Sequence, residues 1–425
     1  MKIWIIAEGE PLPINNKGRL MRAGMVADVF AKEGHKVTWW SSTYLHYDKC
    51  YYKKKYVELE TKSKVELKLL HSKYGYKNNI SIKRILYSRE LAYQFYIRSK
   101  KFEKPNIIYC SWPLIDFAYE AIKLGQKFHI PVVIDIRDSW PDIFIQPFPE
   151  LLQPIVKLLV NLLFKRKVSF VMKFANTIVG VVPKALKFAE SYGRKIQPND
   201  HVVHLAYDNT QAAENEIVQA NEFWRKQGLQ MDKCIVSFIG TISNRIGDFD
   251  TLIEAAEKCK DSSITFVFCG TGNYLNELIK KCKNLKNVII PGYRNRAEIQ
   301  ALLKLSIFGL LAYRNTDDFI DSLPNKFGEY LSQGLIILTS LKGASRQIVE
   351  KENCGAYYHD AVSLLEVIEL INSSSIEKRR MSQNSLNLFY KEFDASKVYS
   401  DFYRLLESQA NVYQNKGRTI NYEQI

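Results

Sequence analysis

The chain has 425 residues, of which 46% are hydrophobic and 25% are charged, and its formal net charge is +15. This length exceeds one ordinary domain and predicts two domains of about 200 residues each, and the composition excludes a disordered or low-complexity protein. The 7 cysteines include no Cys-x-x-Cys pair, which argues against a disulfide framework or a zinc site and favours reduced thiols in a cytoplasm.

The first half of the chain alternates short apolar runs with helical patterns. The N-terminal apolar run is too short for a signal peptide and predicts a buried strand. The predicted strands are Ile3–Ala7, Lys36–Ser41, Ile107–Cys110, Val132–Ile136, Thr177–Val181 and Val202–Leu205. Helical patterns such as Met21–Gly34 and Ile115–Lys127 lie between several of them. This alternation predicts a parallel sheet covered on both faces, and we assign residues 1–208 to a first Rossmann-like domain.

The positive charge is concentrated in one segment of this domain. Lys49–Lys104 contains sixteen Lys and Arg residues and five Glu residues, interleaved with tyrosines. Such a surface binds polyanions, either nucleic acid or anionic lipid head groups, although a solvated face is the alternative. Since no recognition helix, zinc finger or ribonucleoprotein motif is present, we do not expect nucleic acid as a partner.

An apolar segment, Leu151–Phe174, interrupts the alternation and contains five cations. Each cation costs about 2.5–3.5 kcal/mol at the centre of a bilayer, which argues against a membrane-spanning helix. Two alternatives remain. The segment either lies in the membrane interface with its lysines directed outward, or forms a long helix packed on the first domain.

The alternation of strands and helices restarts in the second half. The predicted strands are Ile235–Gly240, Ile264–Gly270, Val288–Pro291, Ile307–Ala312 and Leu335–Ser340. The polar stretch Asn209–Asn221 reads as a linker or a linking helix. We therefore assign residues 209–232 to a linker and 233–391 to a second Rossmann-like domain. Two final helical patterns, Ile376–Lys391 and Ala395–Ser408, are placed to return to the first domain. We assign about 392–410 to the returning helix and 409–425 to a polar tail.

Two glycine-rich turns follow strands of the second domain, where open parallel sheets bind ligands. Gly240 and Thr241 end the first strand, and Arg245 follows in the same loop. Gly270 and Gly272 repeat the arrangement after the next strand. Glycines let backbone amides approach a phosphate, so these turns are candidate nucleotide-binding loops, although most such turns are only turns.

The stretch from Asp321 to Gly334 is the most specific one in the chain. Its residues predict a short helix capped by Asp321 or Ser322 and ended by Gly334. This helix would place Asn325 and Lys326 near its start and Glu329 one turn later. Lys326 is a candidate ligand for a diphosphate and Glu329 for ribose hydroxyls, with a capped helix and a solvent-facing Glu as the alternative.

The same stretch resembles the Glu-x7-Glu region of retaining family 4 glycosyltransferases, in the variant reading Pro-Asn-Lys followed by Glu-Tyr-Leu. Glu329 matches the second Glu of that region, and Asp321 stands where the first would be. In the first domain, residues 131–142 resemble the Arg-Asp-Leu-Trp-Pro form found among surface-polysaccharide members, of the O-antigen, lipopolysaccharide and capsule type. The resemblance runs from residue 1 to about 408.

The resemblance implies a GT-B fold, with two Rossmann-like domains facing each other across a cleft. It implies a retaining hexosyl or N-acetylhexosaminyl transferase that works by front-face displacement. The donor would be a nucleotide diphosphate-sugar, with UDP as the expected carrier, and the acceptor a polyprenyl-diphosphate-linked saccharide. Such an enzyme would be cytoplasmic and peripherally attached to the inner face of the cell membrane, through Lys49–Lys104 and Leu151–Phe174.

The resemblance also assigns roles in the first domain. Arg137 and Asp138 would face the donor sugar and acceptor, and Arg19 and Arg22 would meet an acceptor diphosphate. The chain departs from the family in three places. Arg137 stands where many members carry His, Thr241 and Ile246 replace an Arg and a Lys, and Asp321 replaces Glu. We expect neither a divalent metal nor a cofactor.

Three other classes of protein share some of these features. A sugar-nucleotide 2-epimerase of similar architecture needs no membrane acceptor. A non-catalytic, membrane-associated scaffold subunit would have a degenerate nucleotide site, and the replacements at 241 and 246 fit that alternative. A nucleic-acid-binding protein is suggested by the charge alone.

Overall fold

The computed structural model describes residues 1–14, 20–79, 81–146, 148–259, 261, 263–317 and 319–422, with side chains of the last helix described to residue 413. The chain divides into two compact units. The first unit contains Met1–His204 together with Val398–Ile425, and the second contains Leu205–Lys397.

The first unit is built on an eight-stranded sheet. Its strands are β1 (Lys2–Ile6), β2 (Lys36–Ser42), β5 (Val57–Glu60), β6 (Glu66–Leu70), β7 (Ile107–Trp112), β8 (Val132–Ile136), β9 (Thr177–Gly180) and β10 (His201–Val202), and a separate hairpin pairs β3 (Tyr44–Leu45) with β4 (Cys50–Tyr51). The order in the sheet is β10-β9-β8-β7-β1-β2-β6-β5. All neighbours are parallel except β5, which pairs antiparallel with β6 at the edge.

Among the described residues of this unit, six α-helices cover the sheet before the chain leaves it. They are α1 (Arg22–Lys32), α2 (Ile82–Ser99), α3 (Ile115–Phe128), α4 (Gln153–Val160), α5 (Arg166–Phe174) and α6 (Pro183–Ser191). One core cluster joins α2, α3 and α5 to one face of the sheet. The expected Rossmann-like fold follows from strands that are apolar on both faces, because such strands are stable only when helices cover both.

The predicted segment Leu151–Phe174 is helical, with α4 and α5 joined by a π-helical stretch, Asn161–Lys165. Its second half packs on the first unit, where Val168, Val171 and Met172 are fully buried. The packed-helix alternative therefore describes α5. By contrast, α4 leaves most of its leucine and isoleucine side chains exposed.

The second unit has a six-stranded, wholly parallel sheet. Its strands are β11 (Cys234–Thr241), β12 (Ile264–Thr271), β13 (Val288–Gly292), β14 (Phe308–Leu311), β15 (Ile336–Thr339) and β16 (Gly355–Tyr357). Its helices are α7 (Glu214–Lys226), α8 (Phe249–Lys258), α9 (Leu275–Cys282), α10 (Arg296–Leu305), α11 (Lys326–Leu331), α12 (Ala344–Lys351), α13 (Ala361–Asn372) and α14 (Ser375–Leu388). The order β13-β12-β11-β14-β15-β16 confirms the second doubly wound domain.

The segment 209–232, which we predicted as a linker, contains α7 and belongs to the second unit. Trp224 of this helix is fully buried in the core cluster of that unit. Its indole N–H donates to the carbonyl of Glu298 at 2.7 Å. The polar composition of the segment concealed this role, because two inward-facing residues, Ala220 and Trp224, suffice to anchor the helix.

Of the two final helical patterns, only the last returns to the first unit. Helix α14 packs in the second unit through Met381 and Leu388. Helix α15 (Ala395–Tyr422) joins the first unit from Val398 onward, and Tyr403 in it hydrogen-bonds His35 at 3.1 Å. It extends past the predicted boundary into the segment that we expected to be a polar tail.

Across the described ranges, no helix is both long enough and apolar enough to cross a membrane.

Replacing Trp224 tests the assignment of α7 to the second unit. We expect Trp224→Ala to lower the free energy of unfolding of that unit by about 3–5 kcal/mol, because it removes a fully buried aromatic side chain. Urea unfolding followed by circular dichroism measures the change. The matched control is Val218→Ala on the same helix, where the side chain is 61% exposed. Equal effects of the two substitutions would show that α7 is a linker after all.

Candidate active site

The carboxyl ends of β11 and β14 define the candidate site of the second unit. These two strands are neighbours in the sheet, and the chain order reverses between them. Open parallel sheets bind ligands in the crevice beyond such a switch point. The loops that leave these strands, at residues 240–247 and 312–316, are therefore the place to look for functional side chains.

The two predicted glycine turns lie side by side at this end of the sheet. Gly240, Gly270 and Gly272 all have positive φ angles, of 143°, 154° and 157°. A Cβ atom on Gly270 would collide with the carbonyl oxygen of Gly240, and one on Gly272 would collide with that of Ile242. Only glycine therefore allows the two turns to pack against each other.

Lys326 fills the space that a side chain on Gly240 would need. Its ammonium lies directly against the position of the missing Cβ atom. Nζ is also 4.4 Å from the ring centroid of Phe238 and 5.0 Å from that of Tyr313. Burial lowers the pKa of Lys326 to about 7, and the nearby carboxylate of Glu329 only partly opposes this effect. An ammonium placed at the end of β11 is suited to pair with an anion there.

Helix α11 presents the rest of the predicted motif. It begins at Lys326, with Asn325 exposed at the N-cap position, and that position has no side-chain capping bond. Capping by Asp321 or Ser322 was therefore wrong, because the chain turns once more, through Pro324, before the helix begins. Glu329 is half-buried one turn into the helix.

Asp321 lies beside a second close approach of the backbone. A Cβ atom on Gly343, in the loop after β15, would collide with Oδ1 of Asp321 and with the carbonyl oxygen of Ile320. The amide of Gly343 donates to that same carbonyl at 3.1 Å. Asp321 is therefore placed at the carboxyl end of the sheet, on the β15 side of the switch point.

Arg314 supports the first glycine loop, a role that we did not predict. Its Nε donates to the carbonyl of Asn244 at 3.0 Å, and its backbone amide donates to Ile246 at 2.9 Å. Thr241 and Arg245 are exposed in the same loop. An arginine just after a strand end was the available signal, since that is where ligands and loops converge.

In the first unit, the predicted residue Arg137 belongs to a network at the end of β8. Its Nε donates to Asp135 at 3.0 Å, its Nη2 donates to the Tyr109 hydroxyl at 3.2 Å, and its Nη1 pairs with Glu10. The side chain of Arg137 is 17% exposed. Asp138, the next residue, is exposed.

Arg22 does not have the predicted acceptor-binding role. Its side chain is 1% exposed, and Nε lies 2.9 Å from the buried carboxylate of Asp135. Its Nη1 donates to the carbonyls of Val203 and His204 at 2.8 and 3.0 Å. Burial opposes ionisation of Asp135, but Arg22 and Arg137 outweigh it and hold the pKa of that carboxyl below its usual value. Arg22 therefore has a structural role. Arg19, the other residue predicted to contact the acceptor, lies outside the described residues.

Replacing Arg22 tests this structural role. We expect Arg22→Ala to lower the free energy of unfolding of the first unit by about 3–5 kcal/mol, because it leaves a buried carboxylate with too little positive charge. Tryptophan fluorescence during urea unfolding is a suitable measurement, since five of the 6 tryptophans lie in this unit. The control, Arg89→Ala at an exposed position of α2, should change stability by about 0.5 kcal/mol or less. An equally small effect of Arg22→Ala would contradict the structural role and would favour a contact between Arg22 and the acceptor.

Comparison with known proteins agrees with this architecture. Residues 220–387 match the sequence family described as Glycosyl transferases group 1. A comparison with curated protein sequences gives no match.

Solved structures similar to this chain include three with 12–14% sequence identity. Sucrose-phosphate synthase from Thermosynechococcus elongatus has 12% identity and a TM-score of 0.68, over 96% of this chain and 98% of that one. The Anabaena protein Alr3699/HepE in complex with UDP has 13% identity and a TM-score of 0.62, over 96% and 100%. A glycosyltransferase from Rickettsia africae has 14% identity and a TM-score of 0.65, over 96% and 98%.

These likenesses show the fold, and the family match covers the unit that carries the glycine turns and helix α11. The chain therefore has the GT-B fold, and residues 220–387 match the family described as Glycosyl transferases group 1.

Proposed function

We propose that the protein is a retaining glycosyltransferase that moves a sugar from a nucleotide diphosphate-sugar to a lipid-linked saccharide at the inner face of the cell membrane. The expected donor carrier is UDP, and the expected pathway is the synthesis of a cell-surface polysaccharide. The observation that carries the proposal is the Lys326 ammonium lying against Gly240 at the end of β11. This cation beside the backbone of Gly240 supports a diphosphate site at the end of β11.

The leaving diphosphate would be held by groups of the protein. Breaking the bond between sugar and phosphate develops negative charge on the phosphate, and cations fixed in advance stabilise that charge most effectively. Lys326 is held between two aromatic rings before any ligand binds. Arg245, exposed in the glycine loop, would add a second cation, and the amide near Gly240 would donate to a phosphate oxygen. We propose that these groups do the work that a divalent metal does in other transferases.

The remaining donor contacts follow from the chain order around α11. Glu329, half-buried one turn after Lys326, would accept hydrogen bonds from the ribose hydroxyls. Asp321 would contact the donor sugar, and Asn325 would lie near the diphosphate. Thr241, Gly270 and Gly272 would line the nucleotide side.

Support for the donor class also comes from similar proteins. Anabaena Alr3699/HepE was crystallised with UDP and with UDP-glucose. Its chain aligns with 96% of the present one.

The first unit would present the acceptor. The Arg137 side chain is 17% exposed, and Asp138 is exposed beside it. We propose front-face retention, in which the leaving phosphate removes the proton of the acceptor hydroxyl. Arg137 would then stabilise charge near the reacting sugar, although Asp135 and Glu10 already hold it in place.

Turnover with a lipid acceptor tests this function. The purified protein should release UDP from UDP-sugars only when a polyprenyl-diphosphate-linked saccharide is present, and the anomeric configuration of the donor should be kept. UDP release coupled to an absorbance assay, and proton NMR of the product, are the measurements. Interconversion of UDP-sugars without an acceptor would indicate the 2-epimerase instead, and lipid binding without turnover would indicate the scaffold subunit.

Glu329→Ala tests the ribose contact. We expect the dissociation constant for UDP to rise about tenfold or more, because a hydrogen bond to a charged group contributes roughly 1.5–3 kcal/mol. Isothermal calorimetry measures it. Glu350→Ala in α12 removes an exposed carboxylate of the same unit and serves as the control. Equal affinities of the two variants would refute the ribose contact.

Lys326 predicts a pH dependence of donor binding. Because its pKa is about 7, the free side chain is mostly neutral at about pH 8, and a bound diphosphate raises that pKa. Binding of UDP-glucose at about pH 8 should therefore take up close to one proton, and affinity should fall as the pH rises above 7. Calorimetry in buffers of different ionisation enthalpy measures the uptake. Lys326→Met should abolish it, whereas Lys342→Met, at an exposed position, should not.

The stability of the ligand-free protein should rise with pH above 7, whereas donor affinity falls. Since burial penalises the charged form of Lys326, the penalty is complete below the folded pKa and is relieved as the pH rises from about 7 towards the unfolded value. Lys326→Met should therefore be more stable than the parent protein below neutral pH, and thermal unfolding at several pH values measures this. Proton uptake that persists in Lys326→Met would show that another group accounts for it.

A further inference from the structure

A largely apolar cavity of about 300 Å³ lies within the first unit. Its lining comes mainly from the first half of α2, the loop after β7 with the start of α3, the loop after β8, and α4 with the π-helical stretch that follows. Its apolar lining includes Ile85, Leu114, Phe144, Val156, Val160 and Phe164. A void of this size lined by hydrocarbon and aromatic side chains is suited to an apolar ligand.

The cavity opens onto exposed apolar side chains of α4 and its surroundings. These are Ile82, Phe148, Leu151, Leu152, Ile155, Leu159, Leu162 and Leu163, which are between 43% and 88% exposed. Ile82, Phe148 and Leu163 also line the cavity, so the surface and the interior are continuous. Soluble proteins rarely expose a contiguous apolar surface of this kind unless it binds something.

The charge of the same helical segment favours an anionic occupant. Residues 151–174 contain five cations and no carboxylate. Lys157 lies among the exposed leucines, and Lys165 and Arg166 follow where the π-helical stretch meets α5. Leucines beside lysines are typical of helices that lie in the interface of an anionic membrane.

The other end of the cavity is polar and lies where β1 ends. Glu8, two residues after that strand, accepts a hydrogen bond from the Tyr87 hydroxyl at 2.8 Å. The Arg84 guanidinium is 4.3 Å from the ring centroid of Trp140, and its Nη1 donates to the carbonyl of Asn79 at 2.9 Å. Because β1 and β7 are the neighbours at which the chain order of this sheet reverses, this is also the edge where reactants bind.

We propose that the cavity holds the hydrocarbon chain of the anionic lipid acceptor, entering between the α4 leucines, with its phosphate directed towards Arg84. This inference rests on the proposed function, which supplies the acceptor, and it names the subsite. A hydrocarbon occupant fits better than a peptide, because the lining offers few hydrogen-bonding groups for a backbone. It also fits better than a bilayer surface alone, which would leave the interior of the cavity empty.

Farnesyl phosphate, an anionic isoprenoid, is the probe for this subsite. Leu163→Trp and Val156→Trp each add an aromatic ring to the lining of the cavity. We expect each to weaken farnesyl phosphate binding about tenfold while leaving the thermal unfolding midpoint and UDP-glucose affinity unchanged. Leu370→Trp in α13 of the second unit is the control, since this residue is 73% exposed and is not part of the lining. It should bind farnesyl phosphate as tightly as the parent protein.

Three results would overturn the proposal. The first is unchanged farnesyl phosphate affinity in both cavity variants. The second is binding of the parent protein to vesicles of phosphatidylglycerol and phosphatidylcholine without any binding of farnesyl phosphate, which would indicate surface docking only. The third is self-association that both cavity variants abolish, again without farnesyl phosphate binding, which would assign the cavity to a second copy of the chain.

Donor binding distinguishes a failure of the lipid subsite from a failure of the proposed function. Calorimetry of UDP, the nucleotide part of the proposed donor, on the parent protein reports on the proposed nucleotide site of the second unit. Absence of donor binding there would contradict the transferase function, whatever the cavity binds. Retained donor binding with any of the three results above would contradict only the lipid subsite.

Discussion

The candidate site depends on one steric constraint, which is that the Lys326 ammonium occupies the space where residue 240 would have a side chain. Because position 240 is glycine, the lysine can reach the end of β11 and rest between Phe238 and Tyr313. Any larger residue at 240 would displace it. The carbonyl oxygen of Gly240 also lies where a Cβ atom on Gly270 would be. Position 240 therefore contacts both the second glycine turn and the lysine ammonium.

The two units use buried charge in different ways. In the first, Arg22, Arg137 and the Tyr109 hydroxyl surround Asp135, and together they keep the pKa of its carboxyl below the usual value. In the second, Lys326 has only the partial support of Glu329, and its pKa is lowered. A balanced network resists change, whereas an unbalanced ammonium gains most from a ligand of opposite charge. For this reason we favour the second unit as the one that binds an anionic ligand.

The sequence predicted the fold class because alternating buried strands and helices are visible in hydrophobic patterns alone. It also located the glycine turns, since these residues mark strand ends. It misassigned α7, where a polar helix is held by Trp224, and it misjudged Arg22, because burial of a long cation depends on Asp135 more than a hundred positions away. The position of Arg314 just after a strand end was visible in the sequence, whereas the cavity beneath α4 required three-dimensional contacts that no local pattern records.

The placement of α15 has a consequence for biosynthesis. The first unit contains both the N-terminal residues and those from Val398 onward, while the second unit is one continuous segment between them. On the ribosome, the second unit can fold as soon as its segment has emerged, but the first waits for α15 to cover Phe30 and Tyr109. The domain that begins the chain is thus the last to be completed, and until then part of its apolar core stays open to chaperones.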